Sequence, residues 1–456
     1  MNGQELLEDI KSPKIEPLFE SLYGAEEIGN ARQRYEGLIA GLLNFPATPA
    51  RAADGGAPGV EVKDFPEVHG DIHLFSAPGR TELGGNHTDH NHGKVLAASI
   101  QLDAVVAVAP RRDSLAIFRS AGYPDAVVDL ADTKPRAAEH GKAEGLIRGI
   151  GAEFARLGAS IGGFTAIADS AVKAGSGLSS SAVMEALLGR IFDSLSGAGI
   201  PPLELAKIGQ RAENLYFGKP SGLMDQIACV HGGTVAIDFE NPEDPKIEAI
   251  DFDLESIGYI LCVVDTQGSH AGLAEDYASI PREMQAVAAF FGKAFLRELS
   301  QGMVMEKARE IRMLLGDRAL LRALHFFSEN ARVDQMLWIL KRANSMLDVQ
   351  ERQSALGKYL ELVNESGFSS WDLLQNIYSP TNAKEQGIAL ALALTKNFFP
   401  KNSASRVHGG GFAGTIQAYI PRISLGFYRD AMEAVFGPGA VTSISIRKTG
   451  AVELAL

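Results

Sequence analysis

The stretch from residue 174 to 182 combines the residue types that bind phosphate. Two glycines and four serines stand directly ahead of an apolar run that repeats every three to four residues, the pattern of an amphipathic helix. Glycine lets bare backbone N–H groups approach a ligand, and a helix N-terminus adds unpaired donors and a positive dipole end. The stretch therefore predicts a polyphosphate pocket from which a serine hydroxyl can reach Mg²⁺, although a serine-rich helix cap would have the same composition. The residues assigned to this pocket are Gly175, Ser176, Gly177, Leu178, Ser179, Ser180 and Ser181.

A second polar cluster occupies residues 77–93, after a segment with the alternation of a strand. Because each hydroxyl of a sugar needs both donors and acceptors, such a density of polar groups suits a small polyhydroxylated ligand. A metal site built on the histidines and the aspartate is one alternative, and a solvated polar loop is another. The cluster gathers Arg80, Glu82, Asn86, His87, Asp89, His90 and His92 within thirteen residues.

Two acidic residues and a glycine run complete the chemistry. Glu213 lies on a predicted helix, and Asp225 follows twelve residues later, beyond a Pro/Gly turn. One carboxylate can complete a Mg²⁺ shell while the other faces a nucleophile, a division of work that phosphoryl transfer requires. Viewed alone, either acid is more typical of a surface charge. Three consecutive glycines at 409–411 precede a strand, and on their own they also indicate a tight turn.

In this order, the four stretches resemble the sugar-kinase branch of the GHMP kinases, and the galactokinase family most closely. The resemblance rests on Pro-Gly-Arg and His-Thr-Asp within 78–89, Gly-Leu-Ser-Ser-Ser-Ala at 177–182, Gly-Leu-Met-Asp-Gln at 222–226 and Gly-Gly-Gly-Phe at 409–412. Segments 264–277 and 328–333 are also similar to family segments. The resemblance therefore covers the chain from about residue 71 to 420.

The resemblance implies a two-domain α+β fold with the active site in the cleft between the domains. The N-terminal domain would be ribosomal-protein-like, and the C-terminal domain would be ferredoxin-like with extra helices. The implied activity is ATP-dependent phosphorylation of the anomeric hydroxyl of galactose or a related sugar, by in-line transfer. The implied site residues are Arg80 and Asp225 as the catalytic pair, Ser181 and Glu213 for Mg²⁺, and Glu82, Asn86, His87, Asp89, Gly222 and Tyr277 for the sugar.

The roles of the implied catalytic pair follow from charge. Asp225 would accept the proton of the attacking hydroxyl, and Arg80 beside it would lower the pKa of that carboxyl. Asp225 would then act as a positioning base, and most of the rate would come from neutralising the phosphate charge.

The chain departs from the family's pattern at linked positions. The family's asparagine is Glu82 here and its glutamate is Asn86, so the two residue types have exchanged places; His90 replaces a tyrosine. Asparagine can donate as well as accept, so the exchange could alter which sugar is bound, such as an N-acetylhexosamine or a pentose. Alternatively, Glu82 and Asn86 merely satisfy each other. A non-catalytic sensor of sugar and ATP is a further alternative, which the complete catalytic set disfavours.

Hydrophobic periodicity indicates the elements that would position these groups. Helical spacing occurs in residues 1–45, 142–156, after the serine loop, in 202–215 and in most of 282–362. Residues 46–62 break the pattern and indicate an exposed connection. We therefore divide the chain into an extension with linker (1–62), an N-terminal domain (63–255) and a C-terminal domain (256–456). Strand patterns occur at 71–76, 95–100, 104–108, 115–118, 164–167, 233–237, 257–264, 415–420 and 441–446.

The overall composition is that of a globular protein. The chain has 456 residues, 46% hydrophobic and 22% charged, and its net charge of −13 argues against nucleic acid or anionic membranes as partners. No run of eighteen apolar residues and no signal-peptide pattern is visible. Cys229 and Cys262 have apolar neighbours and form no disulfide framework. We expect a cytoplasmic enzyme, a monomer or weak homodimer, whose partners are a small-molecule sugar and ATP.

Overall fold

A computed structural model describes residues 2–45, 71–173, 177–252, 257–269, 272–401 and 403–455. The predicted linker at 46–62, and Gly175 and Ser176 of the predicted phosphate pocket, lie outside these residues. The strands are β1 (His73–Gly84), β2 (Lys94–Pro110), β3 (Leu115–Ser120), β4 (Ala126–Asp129), β5 (Phe164–Ser170), β6 (Thr234–Asp238), β7 (Lys246–Ile250), β8 (Tyr259–Asp265), β9 (Ala404–His408), β10 (Thr415–Pro421), β11 (Val441–Ile444) and β12 (Val452–Glu453). The helices are α1 (Gly3–Lys11), α2 (Glu16–Tyr23), α3 (Ile28–Leu43), α4 (Ala143–Arg156), α5 (Ser180–Ser196), α6 (Pro202–Ala212), α7 (Met224–His231), α8 (Ala274–Phe290), α9 (Gln301–Glu306), α10 (Ala308–Leu315), α11 (Asp317–Ser345), α12 (Val349–Ser369), α13 (Gly387–Phe398) and α14 (Leu425–Phe436).

Two sheets organise the chain. The first has eight strands in the order β12-β1-β2-β5-β3-β4, and β6 and β7 branch from β2. The second is antiparallel, in the order β11-β8-β10-β9. β7 ends at Ile250 and β8 begins at Tyr259, on either side of the predicted boundary, whereas β12 returns from the end of the chain to the first sheet. The predicted α+β class is confirmed.

β2 is the longest strand, and it differs from the sequence-based expectation. The sequence predicts separate strands at 95–100 and 104–108, whereas β2 runs continuously between them. The reason lies at Asp103, a residue type that usually marks a turn. Its carboxylate is fully buried and accepts hydrogen bonds from Ser76 and Arg447, so the polar residue stays in the strand.

The N-terminal extension covers the outer face of the first sheet. α1, α2 and α3 share a core with apolar residues of β1 and β2. Tyr23 donates to Asp103 at 2.8 Å, and the Arg34 guanidinium contacts the same carboxylate at 2.8 Å. The extension therefore supplies partners for a buried charge in the sheet as well as apolar contacts.

The helices between β8 and β9 form a further layer beside the cleft. The sequence places the helical region after Pro281, but α8 already begins at Ala274 and carries Pro281 inside it. Buried contacts of Ile280, Met284 and Val287 offset the hydrogen bond that the proline removes. No helix in the described part of the chain is long and apolar enough to cross a bilayer.

Candidate active site

Arg80 and Asp225 meet at the centre of the site. Arg80 is on β1, where the pairing with β2 shifts by two residues, and Asp225 is in the first turn of α7. The guanidinium donates from Nε to Oδ1 and from Nη2 to Oδ2 of Asp225, both at 2.6 Å. Its third group, Nη1, donates to the carbonyl of Gly177 at 2.6 Å. Arg80, Asp225 and Gly177 belong to three different predicted motifs, and the hydrogen bonds of Arg80 join them.

The environment keeps Asp225 ionised and reachable. Burial alone would raise the pKa of Asp225, but attraction to Arg80 and hydrogen bonds from Arg80 and Ser179 outweigh it and hold the pKa below its ordinary value. This direction is the one that the sequence predicted. The Asp225 side chain is 29% exposed, against 8% for Arg80, so part of the Asp225 side chain is accessible to solvent.

The turn from Gly177 to Ser181 lies against this pair. Gly177 has a φ of +74°, and a Cβ there would collide with Thr415, so glycine is required. Ser179 also has a positive φ, of 60°, and its hydroxyl donates to Asp225 Oδ2. Ser180 and Ser181 begin α5, so the first helical turn has backbone N–H groups without intrahelical partners, which are the donors that the predicted phosphate pocket requires.

Glu213 lies in a cluster of acidic side chains around Gln226. It begins a π-helical turn after α6, is 1% exposed and pairs with Lys219 at 3.0 Å. Gln226 Nε2 bridges two carboxylates, donating to Glu185 at 2.9 Å and to Glu213 at 3.2 Å. Burial, and then repulsion by Glu213, raise the pKa of Glu185 well above its ordinary value.

These oxygens fit a divalent cation that arrives with a nucleotide. Glu185 Oε1 is buried without a hydrogen-bond partner among the described residues, and Glu213 and Ser181 are hard oxygen donors. The described ranges hold no group of three or more His, Cys, Asp or Glu side chains arranged for a metal. Mg²⁺ commonly takes only one or two carboxylates and completes its shell with phosphate and water, so this donor set suffices.

Among the residues predicted to bind the sugar, Asp89, Gly222 and His87 make the following contacts. A Cβ on Gly222 would collide with the carboxylate of Asp89, so these two predicted residues are in contact and a side chain at 222 would displace that carboxylate. His87 donates from Nε2 to the carbonyl of Gly410 at 2.9 Å. Burial, and then repulsion from His90, lower the pKa of His87 to about 4, so its ring is neutral at physiological pH and Nδ1 carries a lone pair.

Side chains of the site hold the glycine loop 409–411 by its three carbonyls. Asn86 donates to Gly409 O at 2.8 Å, His87 to Gly410 O and Tyr277 to Gly411 O at 2.9 Å. Because all three carbonyls of this loop accept hydrogen bonds from predicted sugar residues, these bonds fix the orientation of the loop. Tyr277 therefore contacts the glycine run that the sequence analysis identified.

Glu82 and Asn86 lie behind the cleft surface. They are 4% and 1% exposed, and Asn86 Nδ2 donates to Glu82 Oε1 at 3.2 Å. The same Glu82 oxygen pairs with Arg406, which is fully buried. Asn86 Oδ1 accepts a hydrogen bond from Asn376 Nδ2 at 2.9 Å. Both side chains are thus engaged by protein groups, and their contact with a sugar stays a prediction.

The sequence analysis did not identify several residues of the site. Arg406 and Asn376 come from the second half of the chain, and only the fold brings them to Glu82 and Asn86. Glu185 lies one helical turn after Ser181, and a search for carboxylates near the serine loop would find it. Gln226 directly follows Asp225 in the quoted motif.

Comparisons with known proteins show which family the chain resembles. A family model described as the galactokinase galactose-binding signature matches residues 63–110, and one described as the GHMP kinases N-terminal domain matches residues 145–233. A galactokinase of Glaesserella parasuis serovar 5 (strain SH0165) is 31% identical over 351 residues, which are 76% of this chain and 84% of that protein. A galactokinase of Streptomyces coelicolor is 32% identical over 278 residues, covering 60% and 70%. The crystal structure of Lactococcus lactis galactokinase complexed with galactose superposes with a TM-score of 0.71 at 24% identity, covering 86% of this chain and 97% of that one.

Proposed function

The chain belongs to the galactokinase family of the GHMP kinases, and we propose that it transfers the γ-phosphate of ATP to the anomeric hydroxyl of galactose. The products are the sugar 1-phosphate and ADP. The observation that carries the proposal is the contact of Arg80 with both Asp225 and Gly177, because it joins the predicted sugar site to the predicted phosphate turn.

In the proposed mechanism, Asp225 receives the proton of the anomeric hydroxyl as that oxygen attacks phosphorus. Arg80 keeps the carboxylate ionised, which makes Asp225 a weak base that orients the hydroxyl more than it deprotonates it in advance. The positive charge of Arg80 also faces the charge that develops during transfer. Because phosphoryl transfer passes through a loose transition state, orientation and charge account for most of the rate.

The phosphates would lie on the turn from Gly175 to Ser181, with Mg²⁺ held by Ser181 and Glu213 and with Glu185 nearby. When bound, the cation neutralises phosphate charge and orients the leaving ADP. Lys219 pairs with Glu213 but is 59% exposed, so it is free to turn away when the site fills. The N–H groups at the start of α5 donate to phosphate oxygens.

The sugar would contact His87, Asp89, Gly222 and Tyr277, while Glu82 and Asn86 support the site from behind. The alternatives of a different sugar and of a non-catalytic sensor are not favoured, because the galactose-binding signature and the galactokinase relatives point to galactose. We further expect the enzyme to act in the cytoplasm as a monomer or weak homodimer. Its two thiols are free and buried, as suits a reducing compartment.

The test is a screen of the purified full chain with ATP and Mg²⁺ across hexoses, N-acetylhexosamines and pentoses. ADP release measures turnover, and phosphorus NMR identifies the phosphorylated position. We expect galactose to have the highest kcat/KM and the product to be the 1-phosphate. The proposal is refuted if none of the sugars leads to consumption of ATP. If another sugar is clearly preferred, that sugar replaces galactose as the proposed substrate.

A further inference from the structure

The loop between β1 and β2, residues 85–93, has an unusual backbone conformation. It carries two of the predicted sugar residues, His87 and Asp89. His87 has a φ of 58° and His92 a φ of 60°, in the left-handed region that residues with a Cβ rarely adopt. Such conformations cost free energy and persist only where surrounding contacts hold them, and they cluster at sites that bind ligands. The contacts that hold this β1–β2 loop therefore bear on the sugar site.

Helix α11 holds the start of the β1–β2 loop. Glu329 Oε1 accepts a hydrogen bond from the N–H of Gly85 at 3.2 Å, and His325 Nε2 donates to the carbonyl of Asn86 at 2.9 Å. Glu329 and His325 are fully buried. Burial lowers the pKa of His325, so its ring is neutral, and Nδ1 accepts from the hydroxyl of Ser369 at 2.8 Å. Both α11 side chains are thus fixed in the orientation in which they bind the loop backbone.

The same helix holds the end of the loop. Asn330 Oδ1 accepts a hydrogen bond from the N–H of Lys94, the first residue of β2, at 2.7 Å, and Asp334 pairs with the ammonium group of Lys94 at 2.7 Å. In the middle of the loop, Asn91 Oδ1 accepts from the N–H of Leu296, which lies between α8 and α9, at 3.3 Å. The helical layer between β8 and β9 therefore binds the β1–β2 loop at its start, middle and end.

We propose that His325, Glu329 and Asn330 are positioning residues for the sugar. By holding both ends of the β1–β2 loop, they keep His87 and Asp89 in the geometry that binds the sugar. The inference rests on the proposed function, which supplies the ligand of this loop. Without the contacts to α11, the backbone at His87 can return to a negative φ, and its side chain then leaves its present position.

Two near-isosteric replacements of Asn330 separate its acceptor from its size. Asn330→Leu removes the acceptor for the N–H of Lys94, and Asn330→Asp keeps an oxygen there. Titration calorimetry of the full chain with galactose measures the effect. We expect Asn330→Leu to raise the Kd about three- to tenfold and Asn330→Asp to recover most of the affinity. The Kd of a non-hydrolysable ATP analogue should not change, because the phosphate turn is bonded to Arg80 and Asp225.

Replacements of His325 test the start of the loop. Glutamine can place an N–H where Nε2 donates, whereas methionine fills the space without a donor. His325→Met should therefore raise the Kd for galactose about three- to tenfold, and His325→Gln should bind more tightly than His325→Met. Asn344→Ala is the matched control, because it removes a 2.6 Å hydrogen bond from the last turn of α11 to the carbonyl of Asp251. It should leave the Kd for galactose unchanged.

Hydrogen exchange of peptides that cover residues 85–94 tests the hold of α11 without any substrate. These peptides should exchange faster in Asn330→Leu than in the unaltered chain, and Asn344→Ala should not change them. Circular dichroism checks that each variant is folded. The inference is overturned if exchange in the loop is unchanged, if folded Asn330→Leu and His325→Met bind galactose as the unaltered chain does, or if affinity for the ATP analogue falls equally. Failure of the unaltered chain to bind galactose refutes the proposed substrate instead, and the sugar preferred in the screen then takes its place in the titration.

Discussion

Replacing Arg80 by lysine isolates the contribution of the arginine's geometry from that of its charge. The guanidinium makes three charge-assisted hydrogen bonds at 2.6 Å, two to Asp225 and one to the Gly177 carbonyl. A single ammonium on a flexible stem cannot reproduce the planar fork, so we expect it to keep one of the three. Each lost charge-assisted bond costs about 1.5–3 kcal/mol in full, and water entering the cleft recovers part of it. We expect a net loss of about 2–4 kcal/mol of transition-state stabilisation, a fall in kcat/KM of roughly 30- to 1000-fold.

The assay is coupled ADP release with galactose and ATP varied separately. Because the fork joins Asp225 to the phosphate turn, kcat should fall more than either KM rises. Arg119, on β3, provides a matched control because it makes a similar two-pronged contact with Asp125, at 2.9 and 2.6 Å. Its position in the sequence is far from the residues of the active site. Arg119→Lys should leave kcat/KM unchanged. The reasoning is refuted if folded Arg80→Lys retains kcat/KM within about threefold, a difference of only about 0.7 kcal/mol.

Three further predictions concern residues around the cleft and behind the sheet. Asn376→Asp should lower kcat/KM more than Asn376→Ala does, because a carboxylate would face the oxygens of Asn86 and Gly410 that the amide now donates to; equal effects in ADP release would contradict this. Burial, and then repulsion from Arg80, lower the pKa of His408 from 6.5 to about 3. Between these two values, His408 is protonated in the unfolded chain and neutral in the folded chain. The contribution of neutral His408 to the free energy of unfolding is complete above pH 6.5 and is about 2 kcal/mol smaller at pH 5. Urea unfolding of His408→Gln should lack that part of the pH dependence, and an unchanged dependence of the unfolding free energy on pH would contradict the prediction. Tyr23→Phe removes a hydrogen bond to the buried carboxylate of β2 and should cost about 1–3 kcal/mol in urea unfolding with unchanged turnover, and unchanged stability would contradict it.

The sequence predicted those parts of the site that are local. Short motifs with special chemistry place Arg80, Asp225 and the serine turn without knowledge of the fold, and the structure brings them within hydrogen-bond distance. Element types were predictable for the same reason, since α4 and β10 follow from periodicity over a few residues. Tertiary contacts decided the exceptions. The buried partners of Asp103 keep β2 unbroken, and packing around Pro281 carries α8 through a residue that usually ends a helix.

Long-range partners were not predictable from local pattern. Arg406 meets Glu82 across 324 positions of sequence, and Asn376 meets Asn86 across 290. Nothing near any of these residues marks the pairing. A single sequence shows which groups need partners, but the fold determines which partners they receive.

Arg406 explains why the exchange between positions 82 and 86 does not require a new substrate. Its guanidinium is fully buried, and a buried cation is stabilised by anions beside it. Glu82 pairs with it directly, and Glu329 adds attraction. With the carboxylate at position 82, Asn86 can donate to Gly409 O and to Glu82 while accepting from Asn376. A second carboxylate at position 86 would instead face acceptor oxygens. The amide is engaged by protein groups, so we expect the exchange to present no new group to the sugar. We then expect discrimination to rest on His87, Asp89 and Tyr277, which are predicted sugar residues that keep the family's types.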